Sequence, residues 1–212
     1  TEEFILKLIG KSGNTYLPNK SIDAALGAAK IMEAVQILET REYDPMRPIS
    51  IMFGKVHGGA ARNIVIDKIT LEGTIRFLFP EDENNIDVVK SAFERIVKSV
   101  CSMLGLGYQI EYIHSNSSLV NSKEIVDVLR RTARITYDGR DNIVDFKSLM
   151  GEDFAEFGKL VPSAMTFFGV NSEAKHCIYP NYHPKYNIDE DVLPEAVEYF
   201  YRGIVELLRD LP

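Results

Sequence analysis

Hydrophobic positions in the first half of the chain follow two spacings, one typical of strands and one typical of helices. Alternation with a period of two predicts four strands, at about 3–10, 48–57, 63–79 and 108–112. Phe4 and Leu6 lie on one face of the first strand and Ile5 on the other. Spacing of three and four residues predicts helices at about 20–40 and 84–104.

The two predicted helices each carry an apolar stripe that should face the sheet. The stripes are Ala24, Ala28, Ile31, Val35 and Leu38 in the first, and Val88, Ala92, Ile96, Val100 and Leu104 in the second. Ser21 or Asn19 is expected to cap the first helix, and Gly105 and Gly107 follow the second. The resulting order, βαββαβ, predicts a split βαβ sandwich with an antiparallel sheet under two helices.

The second half follows the polar run Ser115–Ser118, which we interpret as a crossover between domains. Predicted helices lie at about 122–137, 151–160 and 191–210, and short strands near 142–146 and at 164–170. The apolar stripe of the last helix is Leu193, Val197, Phe200, Ile204 and Leu207. Short apolar strands between helices indicate part of an α/β sheet. We therefore predict two domains, 1–115 and 116–212.

Composition and charge narrow the functional classes. The 212 residues are 45% hydrophobic, with a formal net charge of −7, and a chain this acidic is a poor partner for nucleic acid. The sequence contains neither an apolar run long enough for a membrane span nor an N-terminal export signal, so we expect a cytoplasmic protein. Cys101 and Cys177 lie in unrelated segments, which argues against a disulfide framework and places Cys101 in the core.

Several motifs in a fixed order carry a family resemblance. They are Gly10-Lys11-Ser12-Gly13, Ile22-Asp23-Ala24-Ala25, Gly58-Gly59-Ala60-Ala61-Arg62-Asn63, Gly73-Thr74-Ile75-Arg76, Gly151-Glu152-Asp153-Phe154-Ala155 and His183-Pro184. Together they resemble the lid and the C-terminal signatures of M20 family amidohydrolases, in the branch of hippurate hydrolase and indole-acetyl-amino-acid hydrolase.

The resemblance implies a fold and an activity. The fold would be α+β: a ferredoxin-like βαββαβ lid domain, then an incomplete zinc-peptidase-like α/β catalytic segment. An intact family member would bind two divalent metals, zinc, manganese or similar, and hydrolyse N-acyl amino acids or small peptides as a homodimer formed through the lid. The lid motif begins within the first residues here, so we expect this chain to be the C-terminal portion of such an enzyme, without the N-terminal metal ligands.

Two residues of the lid resemble substrate contacts of the family, and several of the motifs also have an ordinary structural explanation. Asn63 and Arg76 are expected to face the substrate, and a planar guanidinium suits bidentate binding of a carboxylate. Arg76 could equally be an exposed strand cation. Gly58-Gly59 could be a bulge or a close backbone approach. Glu152 and Asp153 could simply complement the start of a helix.

The chain also departs from the family pattern at three positions. Asn14 stands where the resemblance implies a histidine that polarises the scissile carbonyl across the dimer, although an amide can still donate a hydrogen bond to an oxyanion. Tyr182 occupies the position at which the resemblance implies the C-terminal metal ligand. His183 follows that position by one residue, so a structural role is an alternative to metal binding for His183. We therefore expect the chain alone to be inactive. The alternative is a non-catalytic binding or dimerisation protein that keeps the fold without metals.

Overall fold

A computed structural model describes residues 1–78, 85–137 and 143–210. By internal contacts the chain divides into two compact units. The first consists of Thr1–Leu119 with Lys147–Ala155, and the second of Val120–Phe146 with Glu156–Pro212. The fold is mixed α/β, as the sequence predicts. The domain boundary at 115/116 stays a prediction, and the segment Lys147–Ala155, which the sequence analysis places in the second domain, packs with the first unit.

The first unit contains a four-stranded antiparallel sheet and two helices. In chain order its elements are β1 (Glu2–Ile9), β2 (Gly13–Asn14), α1 (Ala24–Ile37), β3 (Ile49–Gly58), β4 (Ile64–Val65), β5 (Lys68–Phe77), α2 (Asn85–Leu104) and β6 (Gly107–His114). The sheet order is β3-β5-β1-β6, so β1 and β5 are central. β2 and β4 form a separate two-stranded ribbon.

Both helices pack on one face of the sheet and bury it. Phe4, Leu6 and Leu8 of β1 are buried on that face, while Lys7 on the other face is exposed, which confirms the predicted alternation. The rings of Phe4, Phe53 and Phe93 form the aromatic centre of this core, with Phe4 centroids 5.3 Å from Phe53 and 4.8 Å from Phe93. Offset and edge contacts of this kind add to the burial of large apolar area.

Helix α1 differs from its prediction only at its two ends. All five predicted stripe residues are buried, from Ala24 to Leu38. The cap, however, is Asp23, whose carboxylate accepts the N–H groups of Ala25 at 2.8 Å and Leu26 at 3.3 Å. Ser21 cannot act as the cap because its hydroxyl donates to the Pro18 carbonyl at 2.9 Å. A π turn at Leu38–Glu42 ends the helix.

Two other predictions for the first unit require correction. The stripe of α2 is confirmed at Ile96 and Val100, which are buried, but it begins one residue later than predicted, because Val89 and Phe93 are fully buried whereas Val88 is exposed. The long strand at 63–79 is two strands, β4 and β5, because the carbonyls of Ile66 and Asp67 accept N–H groups from outside the sheet. Its last residue, 79, lies outside the described residues. Cys101 is buried, as predicted, and burial raises the pKa of its thiol.

A buried carboxylate joins three elements at the beginning of β1. Glu2 is 3% exposed, and its side chain pairs with Lys90 of α2 at 2.7 Å and His114 of β6 at 2.6 Å. Burial raises the pKa of the Glu2 carboxyl, but hydrogen bonds from Lys90 and His114 outweigh burial and hold it below its ordinary value of 4.5. Glu2 is therefore ionised and paired at neutral pH.

The second unit contains two long helices and little regular structure besides. Its helices are α3 (Lys123–Thr136) and α5 (Val192–Asp210), and a single turn, α4 (Ala155–Gly158), precedes the 164–170 segment. Gly203 lets α5 approach Leu129 of α3, since a Cβ atom there would lie 3.0 Å from the Leu129 side chain. No helix among the described residues is long and apolar enough to cross a membrane.

Two predicted strands and the predicted apolar stripe of α5 in the second unit require correction. Each of them would need a neighbouring element to pair with or pack against. The segment 164–170 is not a hydrogen-bonded strand, and neither is 143–146; residue 142 of the latter prediction lies outside the described residues. The predicted stripe of α5 does not face a core either, because Leu193, Val197, Phe200 and Ile204 are exposed while Tyr199 and Gly203 are buried.

We expect Gly73→Ala to destabilise the first unit by about 2–4 kcal/mol, since Gly73 lies on the core face between Phe4 and Phe53. A Cβ atom there would lie 2.5 Å from Cζ of Phe4 and would overlap the Met52 carbonyl oxygen. Urea unfolding followed by circular dichroism measures the loss. Gly54→Ala is the matched control, because its Cβ would meet nothing within 4 Å. Equal effects of the two substitutions would contradict the packing described.

The Glu2→Gln variant tests whether the buried ion pairs of Glu2 make the free energy of unfolding depend on pH. Because the folded-state pKa of Glu2 is lowered, its stabilisation is complete above the ordinary value of 4.5 and disappears as pH falls through the folded value. We expect the variant to lose about 1–3 kcal/mol at pH 7, a figure that allows for the partial exposure of Lys90 and His114, and to match the wild type in strong acid. A pH-independent difference between the two proteins would assign the effect to packing instead.

Candidate functional site

Asn14 and Asn63 lie together on the β2–β4 ribbon. Asn14 pairs with Ile64, and the N–H of Thr15 donates to the Asn63 carbonyl at 3.1 Å. Both asparagines are exposed. The side-chain oxygen of Asn14 accepts the N–H of Tyr16 at 3.3 Å, so its amide group keeps its own N–H donors for another partner.

The glycine pair before Asn63 has a structural explanation. A Cβ atom on Gly58 would lie 2.6 Å from the Lys68 carbonyl oxygen, so β3 and β5 approach closely there. Gly59 has a φ of +94°, which favours glycine. These two glycines end β3 and direct the chain into the ribbon. Their role in the fold needs no ligand.

Arg76 lies at the opposite end of β5 from the ribbon. Its Nη1 donates to the Leu149 carbonyl at 3.0 Å, within the first unit. No other hydrogen bond of its guanidinium group is made to the described residues, so further N–H donors of Arg76 are available to a ligand. Leu149 immediately precedes Met150 and the Gly151-Glu152-Asp153 motif.

The structure therefore separates the three lid residues into two places. Arg76 follows Lys68 by eight residues along β5, which corresponds to roughly 26 Å of strand, and Asn63 lies before Lys68. An N-acyl amino acid spans about two residue lengths, roughly 7 Å. Within one copy of the chain, a substrate at Arg76 cannot contact Asn14 or Asn63.

The motif Gly151-Glu152-Asp153 follows Leu149, whose carbonyl binds Arg76. It lies just before the helical turn α4. The Glu152 carboxylate accepts the N–H of Phe154 at 3.4 Å, and the Glu152 carbonyl accepts the N–H of Ala155 at 3.2 Å. This is the ordinary helix-start role considered for Glu152, since a carboxylate there satisfies N–H groups of the first turn. Asp153 is exposed.

His183 lies in the second unit, in a loop that restrains its ring. The ring stacks on Tyr179 with centroids 4.4 Å apart, and its Nδ1 accepts the N–H of Lys185 at 3.1 Å. A neutral histidine that accepts at Nδ1 carries its proton on Nε2, so neither nitrogen has a free lone pair for a metal. Tyr182 has a φ of +68° and is 98% exposed.

A shallow depression of about 300 Å³ adjoins this loop, lined by residues of 170–171, 177–181 and 186–187. Cys177 is buried beside it and receives a hydrogen bond from the Asn187 amide at 3.3 Å. Neither the Tyr179–His183 stack nor the Asn187–Cys177 contact was predicted from the sequence. The run of Tyr179, Tyr182, His183 and Tyr186 was the available signal for the stack.

The described residues do not fit a dinuclear metal centre. Across residues 1–78, 85–137 and 143–210, no group of three or more His, Cys, Asp or Glu side chains is arranged to hold a metal ion. A stable site for zinc or manganese needs several such ligands converging within bonding distance. The sequence-predicted candidate, His183, therefore stands without a second ligand in this part of the chain.

Known proteins with similar sequences include a carboxypeptidase and a deacetylase. Thermostable carboxypeptidase 1 of Saccharolobus solfataricus is 32% identical over 195 residues, covering 91% of this chain and 48% of the relative. N-acetyl-L-cysteine deacetylase of Bacillus subtilis is 26% identical over 208 residues, covering 98% of this chain and 47% of the relative. The chain thus spans about half the length of these relatives.

Solved structures agree on the fold. The YxeP protein of Bacillus subtilis, described as a dinuclear metal-binding peptidase of the M20 family, matches with a TM-score of 0.75 and 20% identity, covering 99% of this chain and 50% of that one. A tripeptidase of Staphylococcus aureus matches with a TM-score of 0.76 and 20% identity, over 99% and 52%. The profile of peptidase family M20/M25/M40 matches residues 19–206. Since this match covers most of the sequence, the chain belongs to peptidase family M20/M25/M40.

Proposed function

We propose that this chain is the C-terminal portion of a metal-dependent amidohydrolase of the hippurate hydrolase and indole-acetyl-amino-acid hydrolase type. Its substrates are N-acyl amino acids or small peptides. Residues 1–115 form a ferredoxin-like lid, and 116–212 belong to the catalytic domain. The chain supplies the lid, the dimer contact and the site for the substrate carboxylate.

The observation that carries this proposal is the environment of Arg76. Its guanidinium group is partly buried and held on one side by the Leu149 carbonyl, which fixes its orientation while leaving other N–H groups free of partners among the described residues. A fixed planar fork of donors is suited to a carboxylate. A solvated strand cation would need no such anchor.

The relatives support the choice of substrate class. One is N-acetyl-L-cysteine deacetylase, and another, 30% identical over 202 residues, is N-acetyldiaminopimelate deacetylase of Bacillus pumilus. Both names describe an N-acetylated amino acid, which carries an amide to be cleaved and a free carboxylate. Arg76 is proposed to bind the carboxylate of a substrate of this kind.

The separation of Arg76 from the ribbon supports a homodimer. Because Asn14 and Asn63 cannot reach a substrate bound at Arg76 of their own copy, they act on the substrate of a second copy or not at all. In the proposed dimer, the Asn14 amide donates a hydrogen bond to the carbonyl oxygen of the amide under attack. The edge strand β3 or helix α1 provides the contact between the copies.

Two divalent metals, zinc, manganese or similar, are implied by the family, but the described residues of this chain do not hold them. The role proposed here is therefore limited to binding and orienting the substrate. Orientation is a substantial part of catalysis, because it replaces an encounter in solution by a fixed geometry.

A second candidate function is binding or dimerisation without catalysis. The restrained ring of His183 and the exposed Tyr182 favour it, since neither presents a metal ligand in this loop. Under this alternative the Arg76 site still binds a carboxylate, but no hydrolysis follows in any assembly. Metal analysis and turnover therefore distinguish the two candidates, whereas carboxylate binding is common to both.

Arg76→Ala should weaken binding of an N-acetyl amino acid to the chain by about 1.5–3 kcal/mol, the range for a hydrogen bond to a charged group. The matching N-acetyl amino acid amide should lose much less, because it never forms the ion pair. Titration calorimetry or NMR shifts measure both ligands. Arg76→Lys keeps the charge without the fork and should give an intermediate loss. Equal losses for acid and amide would mean that Arg76 supports the fold instead.

The purified chain of 212 residues should hydrolyse no N-acyl amino acid, because its described residues lack a ligand set for the metals that would activate water. The test is product release from N-acetyl amino acids in the presence of added zinc or manganese. Turnover by the homogeneous chain that a chelator abolishes would contradict this expectation and would place a working metal centre on this chain.

A further inference from the structure

The four-stranded sheet of the first unit has a second face, which points away from both helices. Because side chains alternate along a strand and Phe4 faces the helices, its neighbour Glu3 lies on this open face. Thr74 and Arg76 of β5 share the open face, because Glu3 is paired with Thr74 in the register of β1 and β5. Glu3 is exposed, whereas Thr74 and Arg76 are half-buried. An acidic and a basic side chain therefore stand diagonally across two neighbouring strands.

Glu3 and Arg76 do not neutralise each other. Diagonal neighbours on a sheet are about 7–8 Å apart, which is within reach of long side chains. The Glu3 side chain nevertheless makes no hydrogen bond or ion pair with the part of the chain that the structure describes. On the same face, Lys55 and Glu72 lie directly opposite each other and do form an ion pair, at 2.7 Å. The sheet thus leaves one cation and one anion side by side without joining them.

The guanidinium group of Arg76 is held away from Glu3 by the Leu149 carbonyl. This carbonyl accepts an N–H of Nη1 at 3.0 Å and thereby fixes the position of the group. The remaining N–H groups of Arg76 and the Glu3 carboxylate are left as two separate binding groups of opposite charge. A ligand that carries both charges can satisfy both groups at once.

Two hydroxyl groups and a methionine surround these charges. Ser50 of β3 lies directly opposite Arg76, and Thr74 precedes Arg76 by two residues on β5. Neither hydroxyl has a side-chain hydrogen-bond partner among the described residues. Met52 lies opposite Thr74 and is 60% exposed. A few polar groups at separate points orient a small ligand, and a thioether adapts to an aliphatic chain beside them.

Given the proposed role of Arg76 in binding the substrate carboxylate, on which this inference rests, we propose that the preferred substrates are N-acyl amino acids whose side chain ends in an ammonium group, as in lysine or ornithine. Glu3 is the specificity-determining residue, because its carboxylate accepts hydrogen bonds from the ammonium group. A stem of roughly three or four methylene groups crosses the diagonal between Arg76 and Glu3, over Thr74.

The charge of Glu3 discriminates against other side chains. An acidic side chain in the same position would lie beside the Glu3 carboxylate and be repelled by it. A neutral aliphatic side chain would leave the carboxylate without a partner. The discrimination is moderate because Glu3 is exposed, and added salt weakens it.

The test compares Nα-acetyl-L-lysine with Nα-acetyl-L-norleucine, which keeps the carboxylate and the aliphatic stem but has no ammonium group. NMR titration gives the ratio of the two dissociation constants for the wild-type chain and for Glu3→Gln. We expect Glu3→Gln to lower the preference for acetyl-lysine by about three- to fivefold, the effect of one partly exposed ion pair. The ratio is the readout because Glu3→Gln also relieves the repulsion of the carboxylate that both ligands share.

Glu111→Gln is the matched control. Glu111 is exposed on the same open face, opposite Ile5, but it lies two strands across and four residues along from Arg76, roughly 17 Å away. Its substitution should change the ratio by less than about 1.5-fold, because exposed charges at this distance are screened. Glu3→Lys reverses the charge and should shift the preference towards Nα-acetyl-L-glutamate. Circular dichroism verifies that each variant is folded.

Two results would overturn this substrate preference and leave the proposed function standing. One is a ratio that Glu3→Gln leaves unchanged while Arg76→Ala weakens binding of both ligands. The other is an equal fall of the ratio in Glu3→Gln and Glu111→Gln, which would assign the preference to the overall negative charge of the chain. If Arg76→Ala weakens binding of neither ligand, the carboxylate site itself is wrong, and the proposed function fails together with the preference.

Discussion

The contact of the Phe4 ring with the bare backbone at Gly73 is the constraint on which the first unit depends. β1 and β5 are the central strands, and Phe4 is paired with Gly73 between them. The missing side chain leaves room for the Phe4 ring, which in turn contacts Phe53 of β3 and Phe93 of α2. Sheet and helix layers are therefore joined at one aromatic centre, and the ends of β5 are held in a fixed relation to it.

The strand order of this sheet determines which candidate residues can lie together. Because β5 runs through the middle of the sheet, Arg76 near its end and the Asn14–Asn63 ribbon before its start lie at opposite ends of the strand. Arg76 is oriented by the Leu149 carbonyl at one end, while the asparagines are presented to solvent at the other. A single copy thus presents the Arg76 guanidinium group and, separately, a pair of amide groups, and in the proposed dimer a second copy would bring the two to one substrate.

The two units differ in how completely they bury their apolar side chains and pair their backbone N–H and carbonyl groups. The first buries its apolar face and pairs its central strands within itself. The second leaves an apolar stripe of α5 in solvent, and in it the Asn121 side-chain amide bonds the N–H and the carbonyl of Met165. Apolar side chains that remain in solvent are costly in water.

The sequence by itself determined most of the local structure of the first unit, and its motifs indicated the family. Periodicity placed α1, β1 and the buried stripe from Ala24 to Leu38, because burial against one sheet imposes the spacings that a single sequence displays. The resemblance to the family, by contrast, implies that Asn14, Tyr182 and His183 depart from the family pattern. Those properties depend on residue type and spacing alone.

Only the tertiary structure decided which groups meet. The Asp23 cap, the pairing of Glu2 with Lys90 and His114, and the Leu149 anchor of Arg76 each depend on hydrogen-bond geometry or on contacts between distant segments, which no periodicity records. The predictions that proved wrong also depend on contacts between segments. The stripe of α5 and the segment 164–170 have the pattern of buried elements, but a pattern states what an element would bury and not whether a partner is present to cover it.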